Sequence, residues 1–192
     1  VLGACGRGTA EHFGLEDEVD IIMGTLSKSL ASLGGYMAAT KEVIDFVKHT
    51  SRPFIFSAAI TPASTRTALE ALRILKADCD RPKRLLALAA YMRDKLRKYN
   101  LPIGSDSIVP IIPIYTFTKL RTLVAVKMLY ERGVYVNPVL PPAAPEGECL
   151  IRTSYMATHT FELLDEAAEI INDVLSSIPM EDKEILEMLA NE

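Results

Sequence analysis

Val19-Asp20-Ile21-Ile22-Met23-Gly24-Thr25-Leu26-Ser27-Lys28-Ser29-Leu30 is the stretch on which the fold turns. Its mainly apolar first half, bounded by Gly24, reads as a strand covered on both faces, which places the chain in the α/β class. Chain leaving such a strand arrives at the rim of a sheet, so Lys28 is expected there in a partly desolvated setting. Desolvation disfavours the ammonium form and supplies the neutral amine that attacks an aldehyde.

The product of that attack is a Schiff base, the bond by which pyridoxal phosphate is attached to proteins. The hydroxyls of Thr25, Ser27 and Ser29 are placed to serve a phosphate. Two other readings stay open. An ordinary loop lysine points into water. A nucleotide phosphate loop is superficially similar over Gly24 to Ser29, but Ser27 replaces the glycine such a loop needs before its lysine.

Working outward, Tyr36 to Ala39 reads as a second short strand and Lys41 to Lys48 as a helix with Val43, Ile44 and Val47 on one face. Phe54-Ile55-Phe56-Ser57 is expected as a short buried strand. Thr61-Pro62 opens a helix, Thr as N-cap and Pro at the first helical position, whose apolar face carries Leu69, Leu72 and Leu75. Asp80-Arg81-Pro82 starts a longer helix in which Leu85, Leu88, Ala89, Met92 and Leu96 recur at helical spacing, ending near Asn100 and joining two lobes.

Beyond Ser107 the pattern becomes α+β. Ile108 to Tyr115 and Leu150 to Ser154 are β-like, Lys119 to Arg132 is a helix stopped by Gly133, and Val134 to Val136 is a short strand. Thr160 caps a last long helix that buries Leu164, Ala168, Ile171 and Leu175 and stops at Pro179, before a short acidic tail helix. The loop from Pro138 to Pro145 is expected as a rigid wall. No internal repeat or low-complexity tract is present.

The chain has 192 residues, 49% hydrophobic and 24% charged, enough for a substantial core. A formal net charge of -4 with interspersed signs offers no basic stripe for nucleic acid. No apolar run is long enough for a spanning helix, so no integral membrane segment is expected. Cys5, Cys79 and Cys149 are an odd, widely spaced set without a Cys-x-x-Cys pair. Neither a disulfide framework nor a zinc site is expected, and a reducing cytoplasmic setting is the simpler assumption. The opening residues from Val1 to Gly8 read as a loop entered in mid-course, which suggests a fragment.

Arg152 is the single cation of the apolar strand Leu150-Ile151-Arg152-Thr153-Ser154, costly to bury unless an anion meets it. Its planar guanidinium suits bidentate grip of a substrate carboxylate; an internal ion pair or exposure at the strand end is the alternative. Ser57, at a strand end beside Ala58, is a candidate phosphate donor or a simple turn cap. His12, His49 and His159 have no metal-site spacing and read as structural or surface residues, and Arg7 is equally open as an anion binder or a solvated residue.

Taken together, Gly6-Arg7-Gly8, the Lys28 segment, Gly34-Gly35-Tyr36, Phe54-Ile55-Phe56-Ser57, Ile151-Arg152-Thr153 and Ala157-Thr158-His159-Thr160 resemble the α-oxoamine synthases, in order and spacing, to about Ile178. Within that family the wording is most similar to bacterial serine palmitoyltransferases, and next to glycine C-acetyltransferases. The resemblance implies a homodimeric fold-type I pyridoxal phosphate transferase that condenses serine or glycine with an acyl-CoA, with loss of carbon dioxide, to an aminoketone. It implies Lys28 as the cofactor lysine, with Thr25 and Ser27 flanking it and the Thr25 hydroxyl near the phosphate. It implies Ser57 with Ala58 at the phosphate of the partner subunit's cofactor, and Arg152 on the amino-acid carboxylate. The carboxylate grip would hold the breaking bond roughly perpendicular to the cofactor ring.

By the same resemblance, residues 1–78 are the C-terminal part of the large cofactor-binding domain, 79–178 the small α+β domain and 179–192 an acidic tail. Family chains carry an Asp-Glu-Ala-His segment upstream, whose Asp pairs with the pyridine nitrogen. This polypeptide alone is therefore expected to be inactive. Leu140, before Pro141-Pro142, departs from an Arg-Pro-Pro pattern of some serine palmitoyltransferases, which bears on the long-chain acyl expectation. 8-Amino-7-oxononanoate synthase is a further alternative, and a non-catalytic oligomerisation or binding module is the rival from another class.

Overall fold

The computed structural model describes residues 1–104 and 107–191, in two units, Val1–Lys83 and Arg84–Glu192. The last residue of the expected tail, Glu192, lies outside the described residues.

In the first unit the opening loop leads through α1 (Thr9–Phe13) to an antiparallel pair, β1 (Ile22–Thr25) and β2 (Gly35–Ala38). The register sets Gly24 opposite Tyr36 and Thr25 opposite Gly35, so the Lys28 loop is the connection between two paired strands. Two glycines permit this pairing. A Cβ at Gly24 would collide with the Tyr36 ring, and one at Gly35 would stand 2.7 Å from the Gly24 carbonyl oxygen. Helix α2 (Lys41–Thr50) follows, then α3 (Arg52–Ile55), and α4 (Pro62–Ala77), whose N-cap Thr61 accepts the Ser64 N–H through its side chain as the Thr-Pro signature required.

Several expectations for this unit are corrected. The strand at Ile22 is not covered on both faces: Ile21, Ile22 and Met23 are exposed, Met23 by 80%. Phe54 and Ile55 form the end of a helical turn instead of a buried strand, and Phe56 is exposed by 83%. Pro53 at the start of α3 and the Ser51 carbonyl, which accepts from both Phe54 and Ile55, favour the helical turn. On α4 only Ala68 is buried, whereas Leu69 and Leu72 are exposed. Period-based reasoning identifies an apolar face but not whether anything covers it.

Cys5 and Cys79 are joined in a disulfide with their Cα atoms 4.7 Å apart, against the expectation of no disulfide, and Cys149 is free and buried. The reason is tertiary. The opening loop lies on the junction after α4, where Gly6 is buried and a Cβ on it would stand 3.0 Å from Pro82 and 3.3 Å from Leu75. Spacing along the chain contains no trace of that approach.

Helix α5 (Asp80–Lys98) begins in the first unit and supplies Leu88, Met92 and Leu96 to the core of the second. There β3 (Ile111–Phe117), β4 (Asn137–Val139) and β5 (Cys149–Ser154) form an antiparallel sheet in the order β3-β5-β4. The short strand expected at Val134 to Val136 lies later, at Asn137–Val139, because Val134 and Gly133 are used in hydrogen bonds that terminate the preceding helix.

One face of this sheet meets a core to which α5, α6 (Lys119–Glu131), α7 (Phe161–Ser177) and α8 (Asp182–Ala190) contribute, and alternation along β5 buries Cys149, Ile151 and Thr153. The expected acidic tail contains α8, whose Ile185 is fully buried. Arg121 is buried too and donates to the Leu175 and Pro179 carbonyls at 2.8 and 3.1 Å, satisfying backbone acceptors where α7 ends. Among the described residues no helix is long and apolar enough to cross a membrane.

Candidate active site

A serine/threonine turn shapes the Lys28 loop. The Ser27 N–H donates to Thr25 Oγ1 at 3.2 Å, the two hydroxyl oxygens lie 2.7 Å apart, and Thr25 Oγ1 is 3.4 Å from the Gly34 carbonyl to which it donates. Across the loop Leu26 and Gly34 continue the strand pairing, and the Ala31 N–H donates to the Lys28 carbonyl at 3.0 Å. Ala31 closes this turn with φ 50°, in the left-handed region. Ser32 then donates to the Ser64 carbonyl at 2.6 Å, tying the loop to the first turn of α4. Lys28 is thus carried on a loop fixed at both ends.

The side chain of Lys28 is exposed, not desolvated as expected, and those of Thr25 and Ser27 are exposed as well. An accessible amine and two adjoining hydroxyls on one fixed loop are chemically suited to an aldehyde cofactor bearing a phosphate: the amine for the imine, the hydroxyls as donors to the anion. Ser57 and Ala58 follow α3 and are exposed. The Ser57 hydroxyl donates to the Pro53 carbonyl, so in this conformation it serves as a local cap on α3.

Arg152 stands in the second unit, on the central strand β5, opposite Pro113 of β3 and Asn137 of β4. It faces away from the helices and is exposed, which removes the burial cost anticipated from its apolar neighbours. One Nη2 donates to the Asn137 amide oxygen at 3.4 Å. Behind it Thr153 donates to the Ile112 carbonyl at 2.8 Å and lies 2.6 Å from the Tyr155 hydroxyl. Burial, partly opposed by the Thr153 hydrogen bond, pushes the Tyr155 phenol up to about 12, so it stays neutral.

After Tyr155 the chain makes a turn in which the His159 N–H donates to the Met156 carbonyl at 3.1 Å, and Thr160 caps α7 by accepting from Leu163 at 3.2 Å. Glu162 in the first turn of α7 has its carboxyl held below the usual range, first by its own backbone N–H, then by the Thr160 hydroxyl, with the Arg84 charge a lesser contribution.

The structure therefore groups Thr25, Ser27 and Lys28 in one loop and places Arg152 on an open sheet face. Sequence reasoning did not find Ser32, Ala31 or Asn137. A serine tie to a backbone carbonyl leaves no pattern, and Asn137 is recognisable only once the β4–β5 register is known.

Comparisons with known proteins give the family. The Aminotransferase class I and II family matches residues 1–171. A curated serine palmitoyltransferase of Sphingobacterium spiritivorum is 47% identical over 169 residues, covering 88% of this chain and 42% of that protein. An 8-amino-7-oxononanoate synthase of Thermosipho melanesiensis is 44% identical over 170 residues, covering 88% of this chain and 43% of that one. Among solved structures, the Sphingomonas wittichii serine palmitoyltransferase superposes with a TM-score of 0.84 at 28% identity, covering 93% of this chain and 46% of that chain. A serine palmitoyltransferase described as carrying a PLP internal aldimine gives a TM-score of 0.85 at 28% identity, over 92% of this chain and 46% of that one. The chain spans less than half the length of these relatives.

Proposed function

The chain belongs to the aminotransferase class I and II family, and from that premise we propose that it is the C-terminal part of a pyridoxal phosphate-dependent acyltransferase. The observation that carries this reading is the fixed loop after β1, on which exposed Lys28 directly follows Ser27, whose hydroxyl is paired with that of Thr25. Those residues would hold the cofactor, Lys28 by a covalent imine and the hydroxyls by donation to its phosphate. The cofactor, when bound, supplies an electron sink for the pair left behind when a bond at the amino acid's α-carbon breaks.

This chain's own residues supply binding and orientation. The exposed guanidinium of Arg152 receives the amino-acid carboxylate, and the neighbouring Asn137 amide steadies one of its nitrogens. Ser57 with Ala58 reaches the phosphate of a partner subunit's cofactor in a homodimer, which requires the Ser57 hydroxyl to leave its local acceptor on Pro53. The division into a large-domain part over 1–78, a small domain over 79–178 and a tail over 179–192 belongs to the same reading, as does a cytoplasmic location.

The overall reaction proposed is condensation of serine with a long-chain acyl-CoA, releasing carbon dioxide and free CoA. High identity to serine palmitoyltransferases supports it. Comparable identity to 8-amino-7-oxononanoate synthases, together with Leu140 before Pro141-Pro142, supports a second reading in which the acyl group and amino acid differ. An assay of the full-length protein with serine, glycine and alanine against acetyl-CoA, palmitoyl-CoA and the seven-carbon pimeloyl-CoA, following release of CoA thiol, tests both. Turnover with serine and palmitoyl-CoA is expected; no turnover with any pair would overturn the acyltransferase reading.

A further inference from the structure

Along β5 the open face carries Leu150, Arg152 and Ser154 in alternation, and Met156 continues the same period into the turn that follows. The turn is the direct continuation of the strand that carries Arg152, beginning two residues after β5 ends. The turn is gripped from outside by one residue. Arg84, near the start of α5, donates from Nε to the Ala157 carbonyl at 2.8 Å and from Nη2 to the His159 carbonyl at 3.0 Å. The two acceptors flank Thr158, so the rigid fork of a guanidinium spans the turn and fixes its direction.

Other ties complete the frame. The Tyr155 N–H donates to the Pro110 carbonyl at 3.2 Å, the Met156 N–H to His159 Nδ1 at 3.4 Å, and Thr160 caps the next helix. Arg84, by contrast, reaches the turn from 73 and 75 residues away in sequence.

We propose that Arg84 is a positioning residue for the carboxylate site of Arg152: by clamping the 156–159 turn it fixes the course on which the strand bearing Arg152 leaves the sheet. This rests on the proposed role of Arg152. Arg84 makes no contact with the substrate itself. Its loss frees two carbonyls to turn toward water and lets the turn move, so the effect falls on amino-acid binding more than on the thioester.

The experiment compares full-length wild type with Arg84→Ala and Arg84→Lys, using serine as the probe. Borohydride labelling at Lys28 is recorded first, to show that the cofactor site is intact in each. The dissociation constant for serine is expected to rise roughly tenfold in Arg84→Ala, about the worth of one charge-assisted hydrogen bond, with a partial return in Arg84→Lys, whose ammonium meets one carbonyl at a time. The Michaelis constant for the acyl-CoA is expected to stay within about twofold. An unchanged serine constant with intact Lys28 labelling would overturn the proposal. Hydrogen exchange over residues 155–160 decides the clamp independently of any cofactor: faster exchange in Arg84→Ala supports it and unchanged exchange overturns it. Failure of Lys28 labelling in wild type would count against the proposed function, with the exchange comparison still deciding the clamp.

Discussion

Thr25 Oγ1 and Ser27 Oγ lie 2.7 Å apart, on the loop between the paired strands that also carries Lys28. One of the two hydroxyls donates to the other and Thr25 also donates to the Gly34 carbonyl at 3.4 Å, so an anion held next to the lysine would take a proton from one of these local bonds. In the full-length protein Thr25→Ala is expected to raise the dissociation constant for pyridoxal phosphate by roughly tenfold, since it removes both the hydroxyl and the acceptor of the Ser27 N–H. Ser27→Ala, which leaves the turn bond in place, is expected to have a smaller effect. A titration followed by absorbance measures both.

Ala31 closes the lysine loop in a left-handed conformation at φ 50°. A β-branched side chain is strongly disfavoured there, so Ala31→Val is expected to cost about 1–2 kcal/mol and to loosen the Ala31 to Lys28 bond. Ala31→Gly, which removes the Cβ penalty, is expected to be neutral or stabilising. Thermal unfolding of the two variants beside wild type gives the ranking.

Tyr155 provides a test in alkali. Its folded pKa, about 12, lies above the ordinary value of 10.0, so the neutral phenol is favoured by folding. Stability from this source is complete below pH 10.0 and falls as pH rises through about 12, because the unfolded chain loses its proton first. Urea unfolding midpoints from pH 9 upward, an approximate range set by the phenol, are expected to decline more steeply in wild type than in Tyr155→Phe.

Asp165 gives the acid counterpart. Its carboxyl is held below the ordinary range, first by the Lys95 ammonium at 2.7 Å and then by the Tyr91 hydroxyl at 2.7 Å. A depressed folded pKa contributes stability that is present above the unfolded value and lost as pH falls through the folded one. Asp165→Asn is therefore expected to flatten the acid limb of the stability profile and to lower stability slightly at neutral pH, as expected for an exposed pair. Urea midpoints at descending pH measure the difference.

What could be read from the chain follows from the kind of force involved. Local rules placed the Thr61-Pro62 and Thr160 caps, the stop at Gly133 and the core stripe of Leu88, Met92 and Leu96, because each depends on near neighbours or on helical period. The same rules misassigned Phe54 to Ser57 and the cover over Ile21 to Met23, where apolar composition says nothing about whether a packing partner is at hand. Arg152 was identified as the single cation of its strand, yet its outward direction follows from the alternation that buries Ile151 and Thr153. Arg84 and the Cys5–Cys79 pair were illegible, since contacts across more than 70 residues leave no local mark.

The most direct test of the central claim is borohydride reduction of the full-length protein saturated with pyridoxal phosphate, followed by peptide mapping. A pyridoxyl group on Lys28 is the predicted result. Modification at another lysine, with Lys28 recovered unmodified, would contradict the account.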